Sequence, residues 1–161
     1  MNEAIDNRIF ADVLHAQQLP ALQHSVSATT IVLGAMASRD WRPMHHDKDF
    51  AIARNGVRDI FLNTPSQAAW LERYITDWTG PKGRIGRMRF EMKNSIFPGE
   101  YMVISGEVAA CKATDYGYGW IDLVLAIHSG ERLASRCQAR VALPLSTSDN
   151  PWSVPAEHWL P

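Results

Sequence analysis

Cysteine is scarce in this chain: Cys111 and Cys137 are the only two in 161 residues. Two are too few for a disulfide framework, and their spacing fits no zinc motif. Both fall within apolar stretches, where a thiol packs as a small hydrophobe. A reduced, cytoplasmic setting is therefore expected. A surplus of charge is lacking too. Sixteen Lys and Arg stand against seventeen Asp and Glu, a formal net charge of -1. With the basic residues dispersed, no nucleic-acid or membrane-surface partner is expected. No apolar run approaches the length that spans a bilayer. Met1 to Arg8 is polar and acidic, which does not read as a signal peptide. There is no Gly-x-Ser-x-Gly elbow, no glycine-rich phosphate loop after a strand, and no internal repeat.

What remains is an ordinary soluble composition, 46% hydrophobic and 20% charged. It fits one domain over residues 1–161, able to build a core without metal or disulfide staples. Leu22 to Ala28 reads as a short strand. Thr29 or Thr30 then caps a helix through Ile31, Val32, Leu33, Ala35 and Met36 that ends before Asp40. Pro43 turns Asp40 to Asp47 into a loop, and Asp47 to Ala53 forms one or two helical turns. From Thr64 to Trp78 the apolar residues Ala68, Leu71, Ile75 and Trp78 recur at helical spacing. Asn63 or Thr64 supplies the cap, Pro65 suits the first turn, and Gly80, Pro81 and Gly83 stop the helix.

After Gly83 the period becomes two. Met88, Phe90 and Met92 alternate with charged residues. Met102, Ile104 and Val108 read as a second strand, and Ile121, Leu123, Leu125 and Ile127 as a third. A hairpin turn at Ser129-Gly130-Glu131 leads to a fourth, Leu133 to Leu143. Residues 144–161 form an irregular tail, with Trp152 and Trp159 as anchors to the body or to a neighbouring subunit. The pattern predicts an α+β fold, one long helix on one face of an antiparallel β-sheet.

The densest polar cluster is Arg39-Asp40-Trp41-Arg42-Pro43-Met44-His45-His46-Asp47. It reads as a solvated loop, as a metal site from His45, His46 and Asp47, or as an acid–base pair. Adjacent histidines diverge on most backbones, and no other ligand pair supports them, so no metal is expected. One carboxylate and one imidazole can hold a water and move a proton near neutral pH. Spacing alone favours the solvated loop.

The cluster also resembles the signature of the MaoC-like hydratase/dehydratase family, Asp-x-Asn-Pro-x-His followed by x-Asp and Phe-Ala. Asp40, Pro43, His45, Asp47, Phe50 and Ala51 stand in that register. Arg42 replaces the common Asn, and Arg39 the common Gly. Ile60-Phe61-Leu62-Asn63 corresponds to the family's Ile-x-His-Gly entry to the central helix. Phe97-Pro98-Gly99-Glu100 corresponds to its Phe-x-Pro-Gly-Asp turn, and Leu143-Pro144 to its last strand ending. The resemblance runs from Leu22 to Pro144.

It implies a hot-dog fold, a long central helix wrapped by an antiparallel β-sheet. It also implies hydration of a trans-2-enoyl thioester to the (R)-3-hydroxyacyl form, or the reverse dehydration. Asp40 and His45 become the catalytic pair. Arg42, Asn63, Thr64 and Ser66 become substrate-binding candidates, with a backbone N–H at the helix start for the thioester oxygen. Arg42 either pairs with Asp40 or Asp47 and lowers that carboxylate's basicity, binds a substrate carbonyl or phosphate, or faces solvent. Lys82, Arg84, Arg87 and Arg89 either meet coenzyme A phosphates or form a solvated strand face. No cofactor is implied beyond the coenzyme A or acyl carrier protein of the substrate. The expected partner is a second copy or a different hot-dog chain. Asp59-Ile60-Phe61-Leu62-Asn63 also resembles hydratases of sterol side-chain breakdown, which accept bulky substrates. Two rivals stand beside this reading: a non-catalytic partner subunit of a heteromeric hydratase, and an acyl-CoA thioesterase using Glu72 on the central helix.

Overall fold

A computed structural model describes residues 7–161 of the chain. The reading of Met1 to Arg8 lies, for residues 1–6, outside that range. Five strands form one antiparallel sheet: β1 (Gln18–Val26), β2 (Arg84–Met92), β3 (Glu100–Ala113), β4 (Tyr118–Ser129) and β5 (Arg132–Pro144). Their order across the sheet is β1-β3-β4-β5-β2. Alternation places Met102, Ile104, Ile121, Leu123, Leu125, Ile127 and Val141 on the inner face, each at most 1% exposed.

Among the described residues three α-helices accompany the sheet: α1 (Ala28–Ala37), α2 (Lys48–Asn55) and α3 (Thr64–Thr79). α3 is the long one. Leu71, Tyr74, Ile75 and Trp78 recur at helical spacing and join the apolar core that the sheet lines. This is the hot-dog arrangement that the family resemblance implies.

The local expectations need adjusting at both ends of β1, which stops at Val26 with Ala28 already in α1, and at the cap of α1. β1 begins at Gln18 because that residue already pairs across the sheet with Glu107, a partner far off in the sequence. The cap of α1 is Ser27 rather than a threonine. Ser27 Oγ accepts from Thr30 N, and Ser27 N donates to Thr30 Oγ1, a reciprocal capping box. The tail is held to the body by Trp159, whose ring lies 4.8 Å from Trp120 and 5.5 Å from Tyr118. Arg84 sits over Trp159 at 3.7 Å and donates to the Pro151 carbonyl. Lys82 bonds the Thr147 and Asp149 carbonyls. Both cations therefore fasten the tail, because the irregular segment offers bare carbonyls that need donors. Trp152 stays 59% exposed.

Candidate active site

The site forms where α1 ends, the proline-bent loop passes, and α3 begins. Arg39 has φ 54°, the left-handed region, and this bend returns the chain so that Asp40 N donates to Ala35 O at 2.8 Å. Glycine adopts that conformation without steric cost, whereas an L-residue with a side chain does not. Pro43 then opens a short turn, Pro43–His45. His45 points inward and is 2% exposed, while His46 faces out. Asp47 caps α2 by accepting from Phe50 N. The adjacent histidines thus diverge. Among the described residues no three His, Cys, Asp or Glu side chains gather as a metal site.

Asp40 and His45 come together. His45 Nε2 lies 3.4 Å from Asp40 Oδ2, and the two side chains are 2% and 8% exposed. His45 Nδ1 is 2.8 Å from the Phe61 carbonyl oxygen. A carbonyl can only accept, so Nδ1 carries the hydrogen, and in the neutral ring Nε2 is the lone pair. No described residue makes a hydrogen bond to Nε2. The Phe61 carbonyl is held in place from the next residue on, since Leu62 N donates to Ile96 O at 2.9 Å. Ile60, Phe61, Leu62 and Asn63 are all buried.

Three donors grip Asp40. Arg42 Nε and Nη2 reach Oδ1 and Oδ2 at 2.7 and 2.8 Å, and Asn63 Nδ2 reaches Oδ2 at 3.0 Å. The Arg42 bonds hold this carboxyl far below the usual carboxylate range. Asn63 and the nearby His45 act in the same direction, against the opposing effect of burial. Of the three fates open to Arg42, the geometry is the pairing with Asp40.

Asn63 is fully buried and caps α3, its Oδ1 accepting from Ser66 N at 3.1 Å. Its Nδ2 also donates to Ser38 Oγ at 2.9 Å. Pro65 has no N–H and the Ser66 N–H is taken, which leaves Thr64 to supply the first-turn backbone donor. Ser66 does not touch the pair. It lines a cleft of about 360 Å³ between α1 and α3 with Gly34, Ala37, Ser38, Pro65, Ala69, Trp70 and Arg73. A Cβ at Gly34 would meet Ser66 Oγ at 2.4 Å, so glycine there keeps the two helices close. A second cleft of about 270 Å³ is lined by Val32, Ala35, Met36, Asp40, Trp41 and His46.

Sequence reasoning missed Ser38 and the Phe61 carbonyl. The first had only a weak signal, a serine at the end of a helix, and a backbone carbonyl has none. Other chemistries find little footing. Glu72 is exposed on α3. Burial pushes the Cys137 thiol up to about 11, and Cys111 is raised by burial and by Asp122, so neither thiol is primed as a nucleophile. Among the described residues no helix is long and apolar enough to cross a membrane.

No protein-family model matches the chain. A curated relative does: the 3-oxo-4,17-pregnadiene-20-carboxyl-CoA hydratase beta subunit of Mycobacterium tuberculosis. It is 37% identical over 92 residues, covering 57% of this chain and 70% of the relative. The crystal structure of the ChsH1-ChsH2 complex from Mycobacterium tuberculosis superposes with a TM-score of 0.74 at 28% identity, over 81% of this chain and 98% of that one. A MaoC-like dehydratase from Rhodospirillum rubrum shares the fold, with a TM-score of 0.73 at 16% identity over 86% of this chain and 97% of that one. Signature, sheet order and relatives agree, and the chain belongs to the MaoC-like hydratase/dehydratase family of hot-dog proteins.

Proposed function

We propose that the chain is the catalytic subunit of an enoyl-CoA hydratase, which adds water reversibly to a trans-2-enoyl thioester and gives the (R)-3-hydroxyacyl product. The observation that carries this is the His45 ring, fixed on the Phe61 carbonyl with its Nε2 lone pair 3.4 Å from Asp40 Oδ2. One water can bond to both groups. Asp40, gripped by three donors but with one acceptor position on Oδ1 still open, is a poor base and serves as a fixed acceptor that orients the water. His45 Nε2 takes the proton as the water oxygen bonds to C3. The C2–C3 π pair shifts toward the thioester carbonyl, whose oxygen gains negative charge. The Thr64 N–H and the positive end of α3 face that charge. The proton on Nε2 is then delivered to C2, which restores the imidazole and completes the addition. No cofactor takes part beyond the coenzyme A of the substrate.

Two features favour a bulky acyl group. Apart from Arg73, the cleft between α1 and α3 is lined by small or apolar side chains, and it falls within the range of about 300–1,000 Å³ for ligand sites. The curated relative is named for a pregnadiene-carboxyl-CoA substrate. A second hot-dog chain is the proposed partner, since that relative is named a beta subunit and the similar structure is a complex. The assembled Asp40–His45 pair argues against a purely structural subunit, and the exposed Glu72 argues against a thioesterase. Free, protonated thiols suit a cytoplasmic setting.

The test is turnover of trans-2-enoyl-CoAs of increasing bulk, followed by loss of the enoyl absorbance and by chiral analysis of the product. The protein is assayed alone and with its partner chain. Asp40→Asn and His45→Gln are each expected to lose at least about 10²–10⁴ in rate. Equal rates in wild type and both variants would remove the mechanism.

A further inference from the structure

Arg42 stands where the family signature has asparagine, and it binds one member of the proposed pair. Its guanidinium makes a two-point contact with Asp40 at 2.7 and 2.8 Å. The arginine side chain is 60% exposed, the carboxylate 8%. Arg42 therefore sits on the solvent side of Asp40.

A carboxylate 3.4 Å from an imidazole draws a second proton onto the ring, because the unlike-charged pair is favoured over the ring alone. An imidazolium has no lone pair and can take nothing from water. At this site the negative charge on Asp40 is already met by the guanidinium, and Asn63 adds a neutral donor. Asp47, two residues along the loop from His45, is turned to the start of α2, where it accepts from Phe50 N. Lys48 on α2 is paired with Asp59, and Arg58 with Glu100. His46 lines the same cleft as Asp40, and the ring of Phe61 lies edge-on against His45 at 4.9 Å.

We propose that Arg42 is a positioning residue that neutralises Asp40 locally, so that His45 keeps the lone pair that accepts the proton of the attacking water. This rests on the reading of His45 as the base. Arg42 acts through Asp40 and makes no contact with substrate in this role. The arginine is thus a working part of the site, and it extends activity toward lower pH.

The direction follows from charge. Without the cation, the bare carboxylate stabilises the protonated ring, which then persists to higher pH. In Arg42→Asn the acid limb of kcat/KM is expected to move up by about 1 unit or more, superimposed on a pH-independent fall in kcat from the loosened carboxylate. Arg42→Lys restores the charge without the two-point geometry and is expected to shift the limb by less. The same displacement is expected in the ¹⁵N signals of the His45 ring, read without substrate. Losing the two-point contact to a buried carboxylate is expected to lower the melting temperature of Arg42→Asn more than that of Arg42→Lys, so the assays are run at a temperature where thermal melts show both variants folded. An unmoved acid limb and ring titration, with rate lost evenly at every pH, would overturn the proposal. So would a raised KM with no displacement, which would make Arg42 a substrate grip. Wild type failing on every enoyl-CoA while the ring signal still shifts would remove the hydratase reading and leave the charge relation standing.

Discussion

Asn63→Ala tests how closely the fold and the site share one side chain. The carboxamide of Asn63 is fully buried and makes three bonds: to Ser66 N as helix cap, to Ser38 Oγ, and to Asp40 Oδ2. Losing the cap costs about 1 kcal/mol. Losing a hydrogen bond to a charged group costs about 1.5–3 kcal/mol. Ser38 Oγ keeps its own bonds to the Gly34 and Ala35 carbonyls, so its share is small. The sum is about 2.5–4 kcal/mol, or a fall in Tm of about 5–15 °C for a chain of this size. The charged part should depend on pH. The Asp40 carboxyl is lowered in the folded state, so the stability linked to it is present above the unfolded value of about 3.9 and is lost as pH falls toward the folded one. The gap between wild type and Asn63→Ala should therefore be full at pH 7 and narrow only well below the ordinary carboxylate range, because Arg42 still holds the carboxyl low in the variant. Urea unfolding in a double-mutant cycle isolates the bond. In an Asp40→Ala background, Asn63→Ala should cost only the cap, about 1 kcal/mol. An equal loss in both backgrounds would show that Asn63 and Asp40 are not coupled, and the reasoning would fail.

Arg39 sits at φ 54° with its side chain exposed, so Arg39→Gly should relieve backbone strain and raise stability by about 0.5–1 kcal/mol, read as a higher urea midpoint. A drop would mean that the arginine side chain makes a contact worth more than the strain. Trp159→Ala removes the aromatic contacts to Trp120 and Tyr118 and the cation–π contact of Arg84. A loss of about 2–3 kcal/mol is expected at a distance from the Asp40–His45 pair, so Tm should fall while kcat of the folded enzyme stays near wild type. A fall in kcat with unchanged Tm would place the tail in the reaction.

How much of this was legible in the sequence depended on how local each signal was. α3 was readable because its instructions are short-range: an Asn cap, a proline in the first turn, apolar residues at 71, 75 and 78, and Gly80 at the end. The strands were readable for the same reason, from a period of two. The start of β1 was not, because Gln18 becomes strand only through pairing with Glu107. Lys82 and Arg84 carried no mark separating a phosphate grip from a tail clasp, since that depends on where an irregular segment settles. Asp40 and His45, five residues apart, were indistinguishable from a solvated loop by spacing, and only the family register singled them out. Their geometry depends further on a group the residue alphabet does not spell. Every residue has a carbonyl, and nothing in the letters marks the one at Phe61. It matters because Leu62 is anchored to Ile96 and the bend at Arg39 returns the loop over it. The choice of which ring nitrogen accepts a proton is therefore made by backbone held by the sheet side of the fold. Changing the Phe61 side chain while keeping that backbone should disturb the ring packing against His45 more than its tautomer.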